Sequence, residues 1–236
     1  MASTVDVRVS ADAEGAVEAA AAYIAEYARH TIVKRRYAHL GFSGGSTGAL
    51  LVRALADADL DWSRVMVRQI DERVAPDGDP GRNATALRAE LLDRVPIPER
   101  NILLMDVTAA DLTGAARAYA NALRPLDLAH LGMGADGHTA SWPPDQPDVR
   151  TTYERVTITE QFNGYRRMTL TQNGIAEVGH VVWLVCGADK RDPLRRALDG
   201  DPTLPATHAF QLRPKGPSHV PVFVDAAAAP GAGRFS

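Results

Sequence analysis

Leu131-Gly132-Met133-Gly134-Ala135-Asp136-Gly137-His138-Thr139-Ala140-Ser141 is the stretch on which the reading of this chain turns. The apolar run Leu126 to Leu131 delivers it as a strand would, and its glycines then let the backbone turn sharply and approach a ligand closely. Asp136 and His138 are its only titratable side chains. A histidine near its unperturbed pKa of ~6.5 can take a proton at neutral pH, and a carboxylate two residues away can fix its tautomer. Residue types alone also admit a plain glycine-rich loop with a surface histidine. Gly132, Gly134 and Gly137 spell the G-x-G-x-x-G of dinucleotide sites. That turn must open a long helix in a first βαβ unit, whereas here Pro143 and Pro144 follow closely and the motif sits mid-chain.

Working outward, a second glycine-rich turn, Gly41-Phe42-Ser43-Gly44-Gly45-Ser46-Thr47-Gly48, lies between the strand-like Tyr37 to Phe42 and the helical pattern Ala49 to Leu55. Small residues there leave backbone N–H groups and hydroxyls free at a helix N-terminus, where the dipole favours an anion such as phosphate. A rival reading takes Gly41 to Gly45 as the G-x-S-x-G elbow of α/β-hydrolases with Ser43 as nucleophile. Against it, no HGGG-type oxyanion segment precedes the turn, and Ser43 comes early for that fold. A third run, Trp62 to Ile70, leads into Asp71-Glu72-Arg73-Val74-Ala75-Pro76. Charged groups at such a strand end lie where open α/β sheets gather ligand contacts.

The flanking segments share one rhythm. Val5, Val7 and Val9 read as a first strand, Ala11 to Val33 as an alanine-rich helix, Asn101 to Met105 as a short strand and Leu112 to Leu123 as a helix. Apolar, unalternated strands between helices predict an α/β fold, a doubly wound and mostly parallel sheet with helices on both faces. Val156 to Thr159 and Met168 to Thr171 predict a hairpin around an Asn163-Gly164 turn. His180 to Cys186 is a strongly apolar strand that ends in Gly187-Ala188-Asp189-Lys190 and a helix through Leu198. Leu204 to His208 reads as a proline-led turn, Val222 to Asp225 as the last strand, and Gly231 to Ser236 as a fraying end.

The string Leu131 to Ser141 resembles the signature of the 6-phosphogluconolactonases, in the superfamily that also holds the glucosamine-6-phosphate deaminases and ribose-5-phosphate isomerase. Ser43 to Gly48 resembles that superfamily's SGGSTP loop, with Gly48 where proline is usual. Asp71 to Pro76 resembles its DERxVP motif, and Asn83 matches the asparagine of a following S-N pair whose serine is Arg82 here. Arg167 to Thr171 resembles an R-x-T-L-T strand, with the adjacent Arg166 expected in solvent, and Gly187 to Lys190 resembles G-x-x-K. A lysine opening a helix opposes the dipole unless an anion joins it.

The resemblance implies a single domain over residues 1–236 that hydrolyses 6-phospho-D-glucono-1,5-lactone to 6-phosphogluconate, in the oxidative pentose phosphate pathway, with no cofactor or metal. In this reading His138 is a general base on water, Asp136 orients it, and Arg73 or nearby backbone N–H groups steady the developing oxyanion. Ser43, Gly44, Gly45, Ser46, Thr47, Asp71, Arg167 and Lys190 hold the substrate and its phosphate. Two alternatives are a glucosamine-6-phosphate deaminase-like enzyme and a non-catalytic sugar-phosphate-sensing domain. A deaminase continues after the histidine with an F-N-E-like sequence, where this chain has Thr139-Ala140-Ser141-Trp142-Pro143. A sensor is expected to carry a helix-turn-helix, for which the stretch before the first strand leaves no room.

Composition narrows the partners. The chain has 236 residues, 45% hydrophobic and 23% charged, enough apolar content for a sizeable core. A net charge of -3 gives no nucleic-acid footprint, so an anionic substrate needs a local basic cluster. The single cysteine, Cys186, reads as a small buried hydrophobe in a cytoplasmic protein. Met1 to Ser10 alternates apolar and polar residues, so neither a secretory signal nor a membrane segment is expected, and the chain is read as a monomer or small homo-oligomer.

Overall fold

The alternating valines of the N-terminus form β1, Thr4–Ser10, and the alanine-rich stretch forms α1, Ala13–Arg35. Asp12 caps this helix by accepting from the Gly15 amide, and Arg36 ends it in a left-handed conformation at φ 74°. Ala16, Val17, Ala20, Ala21, Ile24 and Ala28 form its buried stripe, small enough for close approach to the sheet. The chain continues through β2 Ala38–Phe42, α2 Gly45–Ala56, β3 Val65–Gln69, β4 Asp71–Arg73, α3 Asn83–Leu87, β5 Ile102–Leu103, α4 Leu112–Ala122 and β6 Leu128–Leu131. Then come α5 Pro147–Thr151, β7 Val156–Ile158, β8 Arg167–Leu170, α6 Gln172–Ala176, β9 His180–Val185, α7 Arg191–Leu198, α8 Pro205–Gln211 and β10 His219–Asp225. The computed structural model describes residues 4–212 and 219–231, so the expected fraying after Gly231 lies outside the described residues.

Seven parallel strands run in the order β1-β10-β9-β6-β2-β3-β5. The central β6 and β9 are buried at every position, which explains their unalternated sequences. On β9, Val181, Trp183 and Val185 join one apolar cluster with Tyr119, Trp142 and Met168, while Val182 and Leu184 join the other with Ile24, Leu40 and Leu51. The sheet therefore divides two cores, and the doubly wound expectation holds. No described helix is long and apolar enough to cross a membrane.

Asp71-Glu72-Arg73 is not the end of the third strand, as the sequence suggested. After β3 the chain passes through Ile70 into a separate antiparallel sheet, β4-β8-β7, with Asp71, Glu72 and Arg73 opposite Thr169, Met168 and Arg167. Ile70 is the joint, donating to the Phe42 carbonyl of the main sheet and accepting from the Leu170 amide of the small one. Residues 62–64 are likewise a 3₁₀ turn rather than strand, because Asp61 captures the Ser63 amide. The helix expected from Ala49 starts at Gly45, which places Ser46 and Thr47 in its first turn. The hairpin forms as read, with Phe162 and Tyr165 bridged around Asn163-Gly164.

Candidate active site

Three neighbouring parallel strands end at one cleft. β2 delivers Ser43 and the start of α2, β6 delivers the Gly132 to Ser141 loop, and β9 delivers Cys186 and the turn to Lys190. A cavity of about 230 Å³ lies there, at the carboxyl edge where parallel sheets receive ligands. Ser43 to Gly48 form one wall. Gly44 caps α2 without a side-chain hydrogen bond and no acid occupies the first turn, so amide donors and the positive end of the dipole remain available to an anion.

His138 lines the cavity, and Asp136 stands behind it. Asp136 Oδ1 lies 2.5 Å from His138 Nδ1 and also accepts the His138 amide at 3.1 Å, so the carboxylate holds ring and backbone together. The contact assigns the proton to Nδ1 and leaves Nε2 as the basic nitrogen. Burial opposes ionisation of Asp136, but the His138 hydrogen bonds and charge outweigh it and hold the carboxyl at about 2. The Phe162 ring meets the imidazole edge-on at 5.0 Å. Gly134 is required by this packing, because a Cβ there would lie 2.0 Å from His138 Nδ1. The loop is cross-tied by Gly134 N to His138 O and Ser141 N to Thr169 Oγ1, and it holds Ala140 at φ 48°.

The small antiparallel sheet supplies the opposite wall. Register pairing puts Arg73 and Arg167 side by side on one face, and both line the cavity. Arg73 is anchored by donating to the Gly81 carbonyl and lies 5.9 Å over the Tyr165 ring. Arg167 is 5% exposed, bonded to the Phe162 carbonyl and 5.0 Å over that ring. Its neighbour Arg166 is exposed, as expected. Asp71, which lines the cavity, accepts from the Ser141 hydroxyl on Oδ2 at 2.7 Å, while its Oδ1 is buried without a partner among the described residues. Glu72 faces away and works structurally, accepting from Gln69, Arg73 N, Asn83 N and Ala84 N and so capping α3. Arg82, in place of the usual serine, is buried against Glu72 and Asp77.

Lys190 lines the cavity from the residue before α7, and its Nζ contacts Asp189 at 2.7 Å, which supplies part of the negative charge that its position lacks. Ser43 Oγ is buried and has no hydrogen-bond partner among the described residues, neither histidine nor carboxylate, so the elbow reading lacks its base. Every candidate site residue except Asp136 lines the one cavity. The sequence reading quoted Asn83 and Thr139 within motifs without giving them a site role and missed His130; all three also line the cavity. Strand alternation could have flagged His130, a polar residue in an otherwise apolar central strand. Cys186 is half-buried on the cavity wall rather than in the core, and burial raises its thiol to about 11, keeping it protonated.

An amide-lined anion wall facing a histidine–aspartate pair, at the switch point of a parallel sheet, defines an α/β enzyme for small anionic substrates. Residues 11–216 match the model of the family described as glucosamine-6-phosphate isomerases/6-phosphogluconolactonase, and the chain belongs to that family. Among curated relatives, the 6-phosphogluconolactonase of Mesorhizobium japonicum is 31% identical over 84% of this chain and 87% of its own. That of Streptomyces coelicolor is 33% identical over 85% of each. The crystal structure of 6-phosphogluconolactonase from Thermotoga maritima superposes with a TM-score of 0.82 at 25% identity, covering 94% of this chain and 99% of that one. A monomeric glucosamine-6-phosphate deaminase shares the fold, with a TM-score of 0.80 at 20% identity over 95% of this chain and 98% of its own.

Proposed function

We propose that this chain is a single-domain 6-phosphogluconolactonase of the cytoplasm, opening 6-phospho-D-glucono-1,5-lactone to 6-phosphogluconate. The observation that carries the assignment is the His138–Asp136 pair facing, across one cavity, the free amides of α2 with Arg167 and Lys190 at its sides. His138 Nε2 takes a proton from water as the oxygen attacks the lactone carbonyl carbon. Arg73, which lines the cavity, meets the negative charge that builds on the carbonyl oxygen, with Arg167 beside it on the phosphate. Collapse of the tetrahedral adduct breaks the bond to the ring oxygen, which takes the proton back from His138 and leaves as the C5 hydroxyl. Asp136 stays ionised throughout and stabilises the transient imidazolium.

A deaminase reading fares worse on a specific ground. Opening an amino-sugar ring and moving its protons needs a further carboxylate beside the histidine. The first one after His138 is Asp145, which is exposed, and among the described residues Asp71 is the only carboxylate lining the cavity. The test is acid release from the lactone by purified protein, corrected for spontaneous hydrolysis, beside ammonia release from glucosamine 6-phosphate. Lactone turnover well above background with negligible ammonia is expected. Comparable ammonia release would overturn the assignment.

A further inference from the structure

His130 sits near the C-terminal end of β6, with Phe42 and Val182 as its partners on the flanking strands. It is 1% exposed, and neither ring nitrogen has a hydrogen-bond partner among the described residues, yet the residue lines the cavity. An imidazole without partners loses its hydration for nothing in return, so such a group in a native strand calls for a ligand. Burial lowers its pKa to about 4, which makes the ring neutral at working pH, with one N–H to give and one lone pair to offer.

Two neighbours show which end of the cavity it serves. The Ser43 amide donates to the His130 carbonyl at 3.3 Å, the Ser43 backbone is also close enough to the ring to oppose part of the burial effect, and Ser43 Oγ is a second buried polar atom there without a partner among the described residues. Gly48, where the family usually has proline, lies beside the ring. A Cβ on it would come 3.6 Å from His130 Cε1 and 2.6 Å from the Ser43 carbonyl. The bare glycine thus lets the Ser43 backbone approach more closely than any Cβ would allow, with the imidazole alongside.

We propose that His130 is a further phosphate-binding residue of this chain, its ring N–H donating from the cavity floor to the same phosphoryl group that α2 holds from the side. The inference rests on the lactonase reading and adds a contact to its phosphate subsite. A phosphate accepting from His130 and from the Ser43 hydroxyl satisfies both unpartnered donors in one step. A neutral donor recognises the oxygen geometry of a phosphoryl group without adding a buried charge to the free enzyme.

The test compares His130→Leu, His130→Gln and Lys190→Ala. In His130→Leu the KM for the phosphorylated lactone should rise about tenfold with kcat within about twofold of wild type, and the inhibition constant of inorganic phosphate should rise in parallel. Its Tm at pH 7.5 should equal or exceed that of wild type, because an unpartnered polar group has been replaced by an apolar one. His130→Gln, which keeps an N–H donor, should recover part of the lost affinity. Raised KM in Lys190→Ala with no change in His130→Leu would overturn the proposal for His130 alone. Unchanged KM and phosphate inhibition in both would remove the phosphate subsite itself. A His130→Leu variant with lowered Tm and with kcat falling as far as KM rises would make His130 a packing residue and overturn the proposal.

Discussion

At His138 and Ser43 two mechanisms make opposite demands. If His138 activates water, His138→Ala removes a general base worth roughly 100- to 10,000-fold in kcat, whereas Ser43→Ala weakens substrate binding by only ~1 kcal/mol. Ser43 Oγ has no hydrogen-bond partner among the described residues, so none of them stands ready as a base to activate it. A serine-reactive phosphonate should therefore leave the enzyme active. Stoichiometric labelling of Ser43 with loss of activity, beside a His138→Ala variant that keeps its rate, would reverse the roles. Arg167 and Lys190 are expected to hold the phosphate, each alanine variant raising KM by the equivalent of about 1.5 to 3 kcal/mol, the range for charged hydrogen bonds. Arg167→Ala should also lower kcat, which Lys190→Ala should not, because Arg167 lies beside Arg73 and within 3.5 Å of the Ser141 hydroxyl that holds Asp71. Identical kinetic profiles for the two variants would refute that division.

Among the elements, β4 shows how a motif divides its labour. Its alternation points Asp71 and Arg73 at the cavity and Glu72 away from it, where the carboxylate gathers the free amides of α3 and the buried Arg82. The triplet reads in sequence as three candidate ligands, but the middle one is a bolt between the small sheet and α3. Glu72→Ala leaves four donors without their acceptor and takes one of its two carboxylate partners from the buried Arg82 guanidinium, so a loss of about 3 to 5 kcal/mol in unfolding free energy is expected. Chemical denaturation checks this, and a loss below ~1 kcal/mol would contradict the capping role.

Across the whole molecule, acid sensitivity follows from histidines buried at opposite ends of the parallel strands. His130 lies under the site, and His180 lies at the other edge with Tyr23, His219 and Arg8 around it. Burial lowers both to about 4, and for His180 the neighbouring His219 and Arg8 charges add to the effect. In the unfolded chain each takes a proton near 6.5, so between that pH and 4 the unfolded state binds more protons than the folded one. Their effect on stability is therefore constant above pH ~6.5 and becomes unfavourable as pH falls toward 4, each ring contributing on the order of 3 kcal/mol once fully protonated. Melting temperatures measured from pH 8 to 4 should fall mainly in that window, and His180→Gln should flatten the decline. A profile already falling from pH 8, or one left unchanged by that variant, would count against the account.

Local chemistry made much of this molecule readable from its residues. Apolar strands without alternation announced a parallel sheet, and glycines before helices announced ligand turns. The two-residue spacing of Asp136 and His138 gave their contact, because a tight turn brings such neighbours together wherever it sits. Arg167 was recognisable only through family resemblance, since no local pattern tells a ligand arginine from a solvated one. The tertiary structure alone decided the rest: that β4 leaves the main sheet to pair with β8, that Glu72 turns inward while its neighbours face the cavity, and that His130 lies beside the anion loop without a partner among the described residues. Those facts depend on which distant strands lie side by side. Strand pairing is fixed by the total burial and hydrogen bonding of the folded chain, and no short window of sequence contains it.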